Sequence, residues 1–153
     1  MLGGWVSTNY AAAACADLPL CQDRLLPATD FAHGFNPLRA LGRTADGANL
    51  PLAALTAIHL AHRAFALVAL AVLLALAWRS WRAPGARWLG AALAVLVAAQ
   101  VTLGLLIVAA MSAGHLDIGR QLPVAAAHNA CAAALVALLA VINFRAHSAR
   151  RSS

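Results

Sequence analysis

The sequence contains no lysine and no glutamate: all 11 basic residues are arginine and all five acidic ones are aspartate. That removes the amine needed for Schiff-base chemistry and leaves no Glu to serve as a general base. Charge of either sign is scarce, at 10% of 153 positions, against about a quarter in soluble domains. With 63% hydrophobic residues and a mean hydropathy of +0.77, the solvent this composition suits is lipid. Alternating apolar and polar positions are missing, and the apolar runs are too long for barrel strands, so the fold class is all-α. The start has neither the basic stretch nor the continuous apolar core of a signal peptide, and Ala11 to Cys15 is not read as a lipoprotein cleavage site. No internal repeat is present.

What the chain does have is three long apolar segments, each reaching the ~20 helical residues that a ~30 Å hydrocarbon core requires. They predict transmembrane helices at 51–78, 88–111 and 121–145, after an outer loop at 1–50 and before a tail at 146–153. Arg79, Arg82 and Arg87 lie between the first two segments, and Arg145, Arg150 and Arg151 follow the third. With three spans both clusters fall on one side, which the positive-inside rule makes the cytoplasm. The first fifty residues then face outward, with Arg24, Arg39 and Arg43 set against Asp17, Asp23, Asp30 and Asp46. A short outer loop around Gly114 adds Asp117 and Arg120. The six cytoplasmic arginines match the net charge of +6, so the high isoelectric point reflects topology and implies no nucleic-acid partner. Trp5, Phe31, Phe35 and three prolines make the outer segment an ordered loop, not a flexible linker.

The polar residues inside the apolar segments carry the chemistry. His59, His62 and Arg63 lie about two turns into the first span, and His128 about a turn and a half into the third, each counted from the outer end. Ionisable groups within lipid are costly and face a bundle interior with a partner or cofactor. His62 and His128, at matched depth on separate helices, are candidate axial ligands of one haem iron, with Ala66 and Ala69 or Ala125 and Ala132 leaving room for the ring. The alternative is that each hydrogen-bonds a neighbouring helix. Zinc fits less well, since His59 is the one further ligand at that depth. His59 shares the face of His62 and suits hydrogen bonding to a substrate or proton relay; Arg63 suits a propionate, or simply snorkels. Cys15 and Cys21 lie on the side where disulfides persist. So short a loop gains only about 2 kcal/mol from a bridge, which leaves both a structural and a redox role open. Cys131 reads as a small buried apolar residue.

Taken together, Gly3-Gly-Trp-Val-Ser-Thr-Asn-Tyr10, Cys15 through Cys21, Asp30-Phe31 and Gly34-Phe35 resemble the outer loop of the haem A synthase family. Leu55 to Arg63 resembles the first ligand helix of that family's C-terminal half, and Leu122 to Asn129 the second. Members oxidise a methyl group of haem O to a formyl group, giving haem A, and consist of two pseudo-symmetric four-helix halves. The resemblance implies that this chain is the C-terminal half, a fragment holding a haem b cofactor through His62 and His128, with Cys15 and Cys21 as the outer cysteine pair. It also implies a bacterial inner (cell) membrane location, and haem O as substrate only in the full enzyme. The departures are Gln22-Asp23 where relatives have Gln-Gly, Leu25 in place of an aromatic, and His59 where the other half has a glutamate linked to catalysis. The span expected before Gly3 is missing, so the missing half, another membrane chain or a second copy is expected to cover the open face. The alternatives are a non-catalytic haem b electron carrier and a cofactor-free structural subunit.

Overall fold

A computed structural model of the chain describes residues 2–112 and 118–151. The loop around Gly114, with Asp117, lies outside the described residues, as do the side chains of Arg120 and Arg150. The described residues are helical, without a strand: α1 (Leu2–Thr8), a 3-10 turn (Ala11–Ala14), α2 (Phe31–Gly34), α3 (Leu52–Arg82), α4 (Arg87–Ser112) and α5 (Ile118–Arg151). Three of these helices are long and apolar enough to cross a membrane. At 31, 26 and 34 residues each exceeds the ~20 a bilayer core needs. Both α3 and α5 continue past their apolar stretches into arginine-bearing turns, because no helix breaker stands there. Between α3 and α4 the chain reverses at Pro84-Gly85, where Gly85 takes the left-handed conformation (φ 75°).

The chain divides into two compact units, Met1–Leu67 with Leu105–Gln121, and Val68–Gly104 with Leu122–Ser153. In the first, the outer segment folds onto the start of α3: Val6, Ala11, Leu50, Ala54 and Ile58 form a buried core flanked by Trp5 and Phe35. The α2 turn sits so close to α3 that a Cβ on Gly34 would stand 2.9 Å from the Ala54 carbonyl. In the second, Ala77 of α3, Leu93 and Val97 of α4 and Leu135 of α5 are buried together. Here Gly90 lets α4 approach the α3 backbone: an added Cβ would lie 2.5 Å from the Trp81 nitrogen and 2.6 Å from the Ala77 carbonyl. Small residues at such crossings are how membrane helices gain van der Waals contact.

The outer segment is ordered, and its organiser is Arg39, which sequence reasoning set against the aspartates. Arg39 is 8% exposed, and among the described residues it forms no salt bridge with a carboxylate. Its guanidinium donates to the carbonyls of His33, Gly34, Ala40 and Arg43 and to Asn9 Oδ1, and lies 5.4 Å over the Trp5 ring. Trp5 Nε1 donates to the Gly34 carbonyl at 3.0 Å, closing the same knot. Arg39 thus satisfies backbone acceptors that loops cannot pair among themselves.

Candidate functional site

In the first unit, α3 carries Thr56, His59, His62 and Arg63 up to the outer segment. The Cys15–Cys21 disulfide is formed, with a Cα–Cα distance of 4.6 Å, and its cysteines are 0% and 1% exposed. Arg63 holds this loop from below: its guanidinium donates to the carbonyls of Leu20 (2.8 Å), Cys15 (2.7 Å) and Asp17 (2.9 Å). Gln22 adds a second tie, donating to the Ala14 carbonyl and to Thr56 Oγ1 at 2.8 Å. Ser112 Oγ at the end of α4 donates to the Ala16 carbonyl. Neither sequence reading of Arg63, propionate partner or snorkelling side chain, describes this contact. Its two terminal nitrogens are given to three carbonyls inside the disulfide loop, while its Nε is buried without a partner.

Two expectations follow. Arg63→Gln is expected to speed reduction of the bridge by dithiothreitol at least about tenfold, since hydrogen bonds from a charged donor are each worth about 1.5–3 kcal/mol and buried sulfurs react only after local opening. Timed thiol trapping measures this, and an unchanged rate means the loop does not depend on Arg63. The second expectation concerns acid. The Asp17 carboxylate accepts the backbone N–H groups of Asp23 and Gln22, both at 3.0 Å, and these hold its pKa below the ordinary value of 3.8. A depressed folded value contributes stability above the unfolded pKa and loses it as pH falls through the folded one. Hydrogen exchange at the Gln22 and Asp23 amides, corrected for intrinsic rate, should therefore rise below about pH 4 in the parent and show no such step in Asp17→Asn.

The histidines sit differently. His59 is 5% exposed, packed beneath the outer segment beside the Ala11 and Ala12 backbone, and its Nδ1 has no hydrogen-bond partner. That burial suits a ring fixed under the loop more than one open to substrate. His62, one turn on, is half-buried, and a Cβ on Gly3 would stand 3.6 Å from its Cε1. Gly3 of α1 thus lies against a candidate ligand.

In the second unit, His128 of α5 lies half-buried against α4. Its Nε2 is 3.0 Å from Gln100 Nε2, and a Cβ on Gly104 would come within 3.2 Å of its Cε1. Gln100 and Gly104 are one turn apart on one face of α4, so they cradle the ring together. The amide donates, which places the imidazole proton on Nδ1, and that atom is buried without a partner. A buried polar atom left unpaired costs about 1–3 kcal/mol. Cys131, one turn beyond His128, is only half-buried, and its thiol lies 3.4 Å from the Leu96 carbonyl; the expectation of a buried apolar residue is corrected accordingly. Among the described residues no three His, Cys, Asp or Glu gather as a metal cluster.

Against known proteins, the family described as cytochrome oxidase assembly protein matches residues 1–140. Heme A synthase of Shewanella oneidensis is 35% identical over 144 residues, 94% of this chain and 41% of that protein. The chain thus spans about two fifths of the length of the curated relative it matches. No solved structure matches.

Proposed function

Because the chain belongs to the cytochrome oxidase assembly protein family, we propose that it supplies the haem b-binding C-terminal half of a haem A synthase, with His62 and His128 as axial ligands of the haem iron. The observation that carries this reading is the setting of His128. Its imidazole lies in an apolar span, against a glycine that leaves room for it, and its basic lone pair, on Nε2, is held only by the Gln100 amide, whose place the haem iron would take. Histidine is a common haem axial ligand, and an apolar, small-residue environment suits the macrocycle, so these residues fit the group. When bound, the haem supplies one-electron redox chemistry. The chain's own part is to bind and orient: the close approach at Gly104 sets the His128 ring against α4, and the segment over α3 shields the turn bearing His62 from water.

By the same resemblance, the methyl group of haem O is oxidised to a formyl group, with haem O held by the other half. On this reading the chain acts together with that half or another membrane chain, or with a second copy of itself. The arginine distribution supports a bacterial inner membrane orientation with the N-terminal segment outside and the C-terminus in the cytoplasm. The Cys15–Cys21 bridge then lies on the oxidising side, where a redox role adds to its structural one.

A reduced-minus-oxidised spectrum of the protein purified after haem-supplemented expression tests the binding claim. A low-spin, bis-histidine haem b spectrum is expected, and no haem absorbance would overturn the reading. Turnover of haem O, measured with and without the other half, separates an enzyme subunit from a non-catalytic electron carrier.

A further inference from the structure

The second unit has an electrostatic peculiarity that haem binding does not use. The chain has no acidic residue between Asp46 and Asp117 and none after Asp117, so this unit contains no acidic side chain. Its six arginines, 79, 82, 87, 145, 150 and 151, have no aspartate or glutamate within the unit to pair with. Three of them nevertheless hold defined positions. Arg82 lies over the Trp78 ring at 5.5 Å, Arg87 over Trp81 at 5.6 Å, and Arg145 over Trp88 at 5.3 Å. The three pairs gather where α3 ends, α4 begins and α5 leaves its apolar stretch. The side chains of Arg79, Arg82, Arg87, Arg145 and Arg151 are exposed.

A guanidinium stacked on an indole uses its face for the ring and keeps its N–H edge free, which is the edge that grips phosphate with two parallel hydrogen bonds. Tryptophans at the ends of apolar spans lie at headgroup depth. We propose that this Trp–Arg cluster is a binding site for the headgroups of anionic phospholipids, the phosphate diester supplying the countercharge that the unit lacks. Charge complementarity selects the anionic lipid over a zwitterionic one, whose own ammonium group offsets its phosphate. The site needs only a membrane interface at this end of the unit, and it stands whether or not haem is bound.

The test is quenching of tryptophan fluorescence in the full chain reconstituted into vesicles of brominated phosphatidylglycerol or brominated phosphatidylcholine. Phosphatidylglycerol is expected to quench more strongly at equal lipid content. Each arginine replaced by glutamine should lower that preference, by up to about fivefold in lipid occupancy, and R82Q/R87Q/R145Q should abolish it. Trp5 contributes equally to parent and variant, so their difference reads the cluster. R82K/R87K/R145K keeps the charge and should retain a weaker preference, which separates a lost site from a lost fold. Equal quenching by the two lipids overturns the proposal. So does preference retained in the glutamine variant or lost in both variants. Abolition of the preference by inorganic phosphate at constant ionic strength would assign the site to free phosphate and overturn it as a lipid site.

Discussion

Replacing His128 by alanine is expected to eliminate the low-spin haem spectrum, and replacing His62 to do the same. Two axial imidazoles give a six-coordinate, low-spin iron; removal of either leaves one ligand and an open position. The effect should be all-or-none in the spectrum, because the residues placed against the His128 ring, Gln100 and Gly104, supply no imidazole to replace it. The controls come from the same residue type. His33 is exposed and paired with Asp30 at 2.6 Å, so His33→Ala should leave the spectrum intact. His59→Ala should do so as well, because its ring lies buried under the outer segment. Loss of the low-spin signal in His59→Ala, with retention in His62→Ala, would move the ligand one turn along α3 and sink the assignment.

Gly90→Ala should be the most destabilising single methyl that can be added to the second unit. The new Cβ would meet the Trp81 nitrogen at 2.5 Å, the Ala77 carbonyl at 2.6 Å and the Trp81 Cα at 2.9 Å. All three are backbone atoms, so no rotamer change relieves the clash, and α3 and α4 must separate. Overpacking a core costs about 1–3 kcal/mol where side chains can shift; with a rigid obstacle the loss should exceed about 3 kcal/mol. Gly4→Ala provides the contrast, since a Cβ there meets nothing within 4 Å and alanine favours a helix by about 1 kcal/mol. Thermal unfolding in detergent should show a large drop for the first and none for the second. Equal midpoints for Gly90→Ala and the parent would mean that the helices do not cross as described.

The spans were legible because length and hydropathy are local properties, and the bilayer sets a minimum that α3, α4 and α5 clear. The helix ends were less so: hydropathy marks where lipid ends, whereas α5 ends only at Arg151. The order of the outer segment could be read from its aromatics and prolines, but the role of Arg39 could not. Its acceptors come from positions 9, 33, 34, 40 and 43, and they converge only after folding. Arg63 escaped for the same reason, its three carbonyls lying more than forty residues upstream. The polar residues inside the spans announced themselves by their cost in lipid. Gly90 and Gly104 did not, although a glycine within an apolar span is a signal for close approach.

The placement of the five aspartates divides the chain's response to acid. All of them belong to the first unit, with Asp17 tied to the amides of Gln22 and Asp23. The second unit carries no aspartate, and its charge comes from arginine, which keeps its proton at any pH a cell meets. Acidification therefore reaches the disulfide loop through Asp17, while the arginines over Trp78, Trp81 and Trp88 keep their charge. The first unit registers acid in its compartment through Asp17; the arginines of the second present the same charge whatever the pH they meet.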